Sequence, residues 1–190
     1  AVRKVDTAPM LRGIITRING QPADEFADGH WVVRGDRGIT YNGPLPDGTQ
    51  ITEGAWWAKD YAGPPLMSFA AEEAAEIGLS IGDIVTINIL GRDITATIAS
   101  FRNVSWEDAG IGFVMTLNPS ALAGAPHSWI STVYTSPESE AAILRDLAGQ
   151  YPNITAIRIR DAIDQVIDLV GGIAAATRYA ALATLVTGFL

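Results

Sequence analysis

The stretch GLSIGDIVTINILGRDITATIASF, residues 78–101, decides the fold class of this 190-residue chain. Its first half, from Ile84 to Ile89, places apolar β-branched residues at alternate positions. Its second half, from Ile94 to Phe101, repeats the alternation after a turn at Gly91-Arg92-Asp93. Successive side chains of a strand point to opposite faces, so each half predicts a strand with one buried face. The stretch therefore predicts a β-hairpin.

Further elements surround this hairpin. Residues 69–77 (FAAEEAAEI) are rich in strong helix formers and predict a short helix that Gly78 ends. Asn19-Gly20 is a strong turn signal, and the punctuation by glycine and proline across residues 35–54 predicts a loop. β-Branched and aromatic residues predict further strands at 9–19, 31–34, 111–117 and 129–135.

A strand–helix–strand order is predicted towards the C-terminal end. The strand at 129–135 is followed by Ser136-Pro137, which is typical of a helix start, and the helix is predicted to end near Gly149. Residues 154–159 predict the next strand. This order predicts one α/β layer.

The last thirty residues change character along their length. Residues 161–170 have the spacing of an amphipathic helix, whereas residues 171–190 contain one charge, Arg178. A membrane-spanning helix needs about 20 mostly apolar residues. The run predicts either the start of a transmembrane helix or a buried helix of a soluble protein. We expect the chain to be an extracytoplasmic piece that stops inside its next transmembrane helix.

Composition excludes several functions. With 13 basic and 21 acidic residues the formal charge is −8, so the chain lacks the clustered positive charge that nucleic-acid binding requires. It has no cysteine, and its two histidines, His30 and His127, lack metal-ligand spacing. We predict no metal site, no cofactor and no nucleic-acid partner.

Motifs for catalysis are absent as well. Neither a Gly-x-Ser-x-Gly nucleophile turn nor a phosphate-binding Gly-x-x-x-x-Gly-Lys-Ser/Thr loop occurs. We predict a protein without catalytic residues that is not an enzyme. A hydrolase that uses aspartate or glutamate stays open as a third hypothesis.

Aromatic residues give the candidate contact site, which consists of Trp56, Trp57, Tyr61 and Met67. Two adjacent tryptophans on a strand point to opposite faces, so both cannot enter one core. Either one of them is exposed at an interface, where tryptophan is favoured, or each packs under a different loop.

The order of the motifs resembles a known family. The chain resembles the large extracytoplasmic domain between the first two transmembrane helices of FtsX-like ABC transporter permeases, a superfamily with macrolide-exporter and lipoprotein-release types, and within it the YbbP-type group. The resemblance rests on the motifs at residues 12–20, 34–40, 52–57, 78–83, 103–106, 112–115 and 122–127, and on the closing apolar helix.

The resemblance implies an α+β fold with two lobes. Residues 1–50 and 118–165 would form an α/β porter-like lobe. A strand-rich sabre-like lobe, residues 51–117, would be inserted into it. Residues 166–190 would form a stalk and the start of a transmembrane helix.

It also implies a function and partners. The chain would be a non-catalytic periplasmic domain in the bacterial inner membrane. It would couple motion driven by a cytoplasmic ABC ATPase to the handling of a hydrophobic substrate or a periplasmic partner, and it would work beside a second permease copy. The alternative is a soluble lipid- or carbohydrate-binding module, motivated by Trp56, Trp57 and Met67 near one loop.

Overall fold

The computed structural model describes residues 2–104, 111–122 and 124–159. The chain divides into two compact units. The first comprises Val2–Tyr134, and the second comprises Ala1 and Thr135–Leu190. The described part of the second unit therefore runs from residue 135 to residue 159.

Strands dominate the described residues, with three short α-helices and one 3-10 helix. The mixture confirms the predicted α+β class. The strands are β1 (Val2–Ile18), β2 (Gln21–Pro22), β3 (Arg37–Tyr41), β4 (Ile51–Gly54), β5 (Leu66–Ala70), β6 (Ile84–Ile89), β7 (Arg92–Arg102), β8 (Met115–Leu117) and β9 (Ser128–Thr135). The helices are α1 (Ala23–Phe26), α2 (Ala71–Glu76), the 3-10 helix Pro119–Leu122 and α3 (Pro137–Gln150).

Six of the strands close into a ring. Around it, β1 pairs with β3, β3 with β8, β8 with β5, β5 with β7, β7 with β6, and β6 with β1. The β3–β8 and β5–β7 pairs are parallel, and the others are antiparallel. Outside the ring, β2 and β9 pair with β1, and β4 pairs with β7. Closure protects the ring strands from edge-to-edge association.

The predicted hairpin is confirmed. β6 and β7 pair from Ile84↔Thr97 to Ile89↔Arg92, and the two residues between them, Leu90 and Gly91, both have positive φ. Two-residue turns with this geometry match the twist of a hairpin. Asn19-Gly20 forms the same kind of turn between β1 and β2, as the sequence predicted.

The core lies inside the ring. Buried side chains of the ring strands form it together with residues of α1, of α2 and of the turn at 31–34. The largest side chains that are almost fully buried include Phe69, Ile18, Ile39, Met67, Ile87, Ile98, Met115 and Leu117.

A buried cation links three parts of this unit. The guanidinium of Arg102, at the end of β7, donates hydrogen bonds to the carbonyl oxygens of Ser68 and Phe113. Burial lowers the pKa of Arg102 to about 10, and the charge of Glu73 on α2 opposes that shift. Glu73 is itself buried. Arg102 thus joins β7 to β5 and to the segment that leads into β8.

Several predicted boundaries are wrong. Residues 31–34 form turns instead of a strand, with backbone bonds from Val33 to His30 and from Arg34 to Trp31. Their valines reach the core from this turn, which explains the misleading apolar pattern. The predicted loop at 35–54 contains β3 and β4.

Two further predicted elements are shorter than expected. The helix predicted at 69–77 begins at Ala71, because Phe69 and Ala70 belong to β5. The strand predicted at 111–117 is reduced to β8, since only its last three residues pair with β3 and β5.

The second unit confirms one prediction and contradicts another. α3 begins at Pro137 after Ser136, as expected. Residues 154–159 form no strand, so the predicted α/β layer is wrong for the described residues. Their apolar side chains, Ile154, Ile157 and Ile159, are exposed.

The predicted C-terminal helices, residues 161–170 and 171–190, lie outside the described residues. Among the helices that the structure describes, none has the length and apolar character needed to span a membrane. The division into a porter-like and a sabre-like lobe stays a prediction.

Candidate functional site

The predicted tryptophans form a stacked pair after β4. The rings of Trp56 and Trp57 have centroids 4.1 Å apart and planes inclined by 28°. Trp57 Nε1 donates to the carbonyl oxygen of Asn42 at 2.8 Å, and Trp56 Nε1 donates to that of Gly43 at 3.0 Å. Both indoles therefore bind the turn that follows β3. The alternative in which each tryptophan packs under a different loop is wrong, because both indoles bind the same turn. Exposure of one tryptophan at an interface stays a prediction.

The two tryptophans differ in burial. Trp57 is 7% exposed, whereas Trp56 is half-buried. Since both indole N–H groups already have acceptors within the chain, the part of the pair available to a partner is the apolar surface of Trp56.

Tyr61 closes its own loop. Its hydroxyl donates to the carbonyl oxygen of Pro64 at 3.0 Å, and its ring packs so closely over Gly63 that a Cβ there would lie 2.5 Å from the hydroxyl oxygen. Its half-buried ring remains next to solvent. The tyrosine fixes the shape of the segment between the tryptophan pair and β5.

Met67 does not join this surface. It lies on β5 with 0% of its area exposed, inside the core. The structure therefore corrects its assignment: a side chain without solvent exposure offers no contact to a partner in this conformation. The contact role of Trp56, Trp57 and Tyr61 stays a prediction.

A second aromatic group was not predicted as a site. Tyr41 at the end of β3, His127 and Trp129 on β9 form a chain of ring contacts, which we call the histidine cluster. The His127 ring meets Tyr41 at 5.6 Å and Trp129 at 5.4 Å, both in edge-on geometry. Trp129 is 65% exposed. Only tertiary structure unites these residues, because Tyr41 and His127 are 86 positions apart.

The hydrogen bonds of His127 define its neutral form. Nδ1 lies 3.0 Å from the carbonyl oxygen of Ala125, which can only accept, so Nδ1 carries the proton. Nε2 lies 3.3 Å from the Tyr41 hydroxyl, and in the neutral ring with its proton on Nδ1 it accepts from that hydroxyl. The arrangement orients an aromatic surface.

His30 has the opposite arrangement. Its Nδ1 accepts from the backbone N–H of Val32 at 3.3 Å, so Nε2 carries the proton and donates to the Glu76 carboxylate at 2.7 Å. The bond ties the segment after α1 to α2. In the described part of the chain, no three His, Cys, Asp or Glu side chains are grouped closely enough to hold a metal ion.

The histidine cluster and the tryptophan pair flank one short segment. His127 bonds the side chain of Tyr41, and the indoles bond the carbonyls of Asn42 and Gly43. Trp129 had a signal in the sequence, because it begins an uncharged strand, but the sequence does not reveal which face of that strand is exposed.

Comparison with known proteins gives one relative to report. No protein-family model matches the chain. The chain is similar to the uncharacterized ABC transporter permease YbbP of Escherichia coli (strain K12), with 27% identity over 161 residues. The match covers 83% of this chain and 19% of the permease, so the chain spans about one fifth of that relative's length. The similarity relates this chain to part of an ABC transporter permease, and it agrees with a non-enzymatic component of a transporter.

Proposed function

We propose that this chain is a non-catalytic extracytoplasmic domain of an ABC transporter permease in the bacterial inner membrane. The similarity to YbbP over 83% of the chain carries the proposal. The order of the motifs, from residues 12–20 to residues 122–127, supports the FtsX-like, YbbP-type assignment within that class.

In this role the domain transmits motion. A cytoplasmic ABC ATPase binds the membrane region of the permease, and nucleotide binding moves the transmembrane helices that enter the domain. A second permease copy stands beside the first. A closed ring supports such a role, because each of its strands is hydrogen-bonded to a neighbouring strand on both sides.

The predicted contact residues give the domain a surface for a periplasmic partner or a hydrophobic substrate. We assign this surface to the exposed part of Trp56 and to Tyr61. The hydrogen bond to Gly43 holds Trp56 in place, and the hydrogen bond to Pro64 holds Tyr61. The lipid- or carbohydrate-binding alternative gains no support, since Met67 is buried and both indole N–H groups are bound within the chain.

Cysteine labelling tests the location. The chain has no cysteine, so Asp47→Cys in an exposed loop creates a unique thiol within it. In intact cells whose outer membrane has been permeabilised, a membrane-impermeant maleimide should label this thiol in the parent permease. Met67→Cys, which is buried, is the control and should react only after denaturation. Labelling of Asp47→Cys only after lysis of the inner membrane would contradict the proposal.

A further inference from the structure

The outer edge of β9 carries a feature that the proposed function leaves unused. In the part of the chain that the structure describes, β9 pairs with β1 alone, and the contacts Thr7–Ser131 and Lys4–Tyr134 show that the two strands run antiparallel. Among the described residues, no strand pairs with the opposite edge of β9 from Ser128 to Tyr134, and backbone N–H and C=O groups at a strand edge are able to bind another strand.

The composition of β9 favours pairing with another strand. Its sequence, SWISTVYT, contains neither proline nor any of the charged residues Asp, Glu, Lys and Arg. Natural edge strands are commonly protected by charge, proline or short length. The other strands outside the ring have this protection: β2 has two residues including Pro22, and β4 has four including Glu53 and Gly54.

One face of β9 is both apolar and exposed. The hydroxyls of Ser131 and Thr7 lie 2.9 Å apart, so Ser131 shares its face of the ribbon with Thr7. Side chains alternate along a strand, which places Trp129 and Val133 on that face, together with Val5 of β1. Trp129 is 65% exposed, Val133 40% and Val5 53%.

Charge lies mainly on the other face. Lys4 and Asp6 form an ion pair of 2.7 Å, and the Lys4 ammonium lies 5.5 Å from the centre of the Tyr134 ring. The hydrogen bond that Lys4 donates to the Asp6 carboxylate raises the pKa of Lys4 above its ordinary value. Arg3, towards the start of β1, is the charged residue of the apolar face. The edge strand itself remains uncharged.

We propose that the outer edge of β9 pairs antiparallel with the same edge of a second copy of this chain, around a two-fold axis at Ser131. In this register Trp129 lies opposite Val133 of the second copy. Aromatic and β-branched residues stabilise such cross-strand pairs. A strand that contains no formal charge meets itself without opposing like charges, and a two-fold interface is self-complementary by definition. The inference rests on the dimer in the proposed function and assigns a surface to it.

The pairing is weak in an isolated chain. One added strand pair buries less than the roughly 1,600 Å² of a standard interface. Each copy carries a formal charge of −8, so long-range repulsion opposes association. In a membrane the two permease copies are held side by side, and the high effective concentration favours contact.

Cysteine cross-linking tests the axis directly. In the full chain, kept in non-ionic detergent, Ser131→Cys should form a disulfide-linked dimer under mild oxidation, because paired residues on the axis have Cα atoms about 5 Å apart. Thr132→Cys is the matched control: it lies one position off the axis on the opposite face and should remain largely monomeric. Equal cross-linking of the two variants, or none for Ser131→Cys, overturns the proposal.

Sedimentation of the cysteine-free chain gives an independent readout. We expect a concentration-dependent dimer that strengthens between 0.1 and 1 M salt, where the Debye length falls from about 10 to 3 Å. Val133→Lys should weaken dimerisation at least about tenfold, since the Trp129–Val133 cross-strand pair is lost and a charge is placed on the uncharged edge strand. Leu90→Lys, a charge at another exposed leucine, should leave it unchanged.

Other results of this measurement would overturn the proposal. A chain that stays monomeric at all concentrations would do so, and so would a dimer insensitive to Val133→Lys. Neither result touches the proposed function, because labelling of Asp47→Cys and nucleotide-dependent motion of the parent permease are measured separately.

Discussion

The indole rings of Trp56 and Trp57 stack at 4.1 Å and donate to the carbonyl oxygens of two consecutive residues, Gly43 and Asn42. The stack joins the turn after β3 to the segment after β4. These two stretches come from opposite sides of the sheet order, since β3 lies beside β1 and β8, whereas β4 lies beside β7.

Replacement of each tryptophan by phenylalanine should separate the two contributions. Trp57→Phe removes a buried donor and leaves the Asn42 carbonyl without it, so we expect a loss of about 1–3 kcal/mol in the free energy of unfolding. Trp56→Phe should cost less, because Trp56 is partly exposed and water can replace its hydrogen bond. Urea unfolding followed by circular dichroism measures both. A larger loss for Trp56→Phe than for Trp57→Phe would contradict this account.

Gly54 should tolerate no side chain. Its φ is +74°, and a Cβ there would overlap the carbonyl oxygen of Ala99, which accepts from the N–H of Ala55 at 3.0 Å. Gly48 has a similar φ of +78° with no atom near its Cβ position. Gly48→Ala should therefore cost about 1–2 kcal/mol, the penalty for the left-handed conformation. Gly54→Ala should cost at least about 2 kcal/mol more in urea unfolding. Equal losses would show that the close approach to β7 is unimportant.

The buried Arg102 should be essential to stability. Arg102→Met removes the donors from the carbonyl oxygens of Ser68 and Phe113, so we expect a loss of about 2–4 kcal/mol in the free energy of unfolding. Adding Glu73→Gln should recover part of that loss. Arg12→Met, which breaks an exposed ion pair with Asp36, is the control and should change the unfolding free energy by less than about 1 kcal/mol. No recovery in the double variant would argue against coupling between Arg102 and Glu73.

The positive φ of Leu90 should lower the free energy of unfolding relative to a residue that tolerates this conformation. It has a φ of +51° in the β6–β7 turn and is 73% exposed, so its side chain loses little contact when replaced. Asparagine tolerates the left-handed region better, and Leu90→Asn should raise the free energy of unfolding by about 0.5–1 kcal/mol. Leu45→Asn tests an exposed leucine without positive φ and should stay within about 0.5 kcal/mol of the parent. A destabilised Leu90→Asn protein would show that Leu90 makes stabilising contacts in the turn.

Local signals in the sequence predicted local structure well. The β6–β7 hairpin, the Asn19-Gly20 turn and the start of α3 each depend on residues within a few positions of one another. Ring closure depends on pairs such as β3 with β8, which join residues 37–41 to residues 115–117. No local sequence pattern indicates a pairing between residues so far apart. For that reason residues 37–41 were predicted as part of a loop and not as β3.

The contacts of the candidate site also depend on residues that are distant in the sequence. Residue type correctly marked Trp56 and Trp57 as unusual, but the alternation argument assumed a strand, and the pair lies outside one. The acceptors of the indole N–H groups belong to a turn 13 to 15 positions away. Burial of Met67 follows from the packing of β5 within the ring, and exposure of Trp129 follows from the position of β9 outside it; both are set by tertiary structure.

The coupling of this domain to ATP-driven motion is the central claim, and a distance between two copies tests it most directly. Spin labels are attached to Asp47→Cys in the parent permease, which is reconstituted with its ATPase. Pulsed electron paramagnetic resonance then gives the distance between the labels of the two copies. We predict distinct distance distributions with ADP and with a trapped ATP state, because the domain follows the membrane helices. The same distribution in both states, in a preparation whose ATPase is active, would contradict the account.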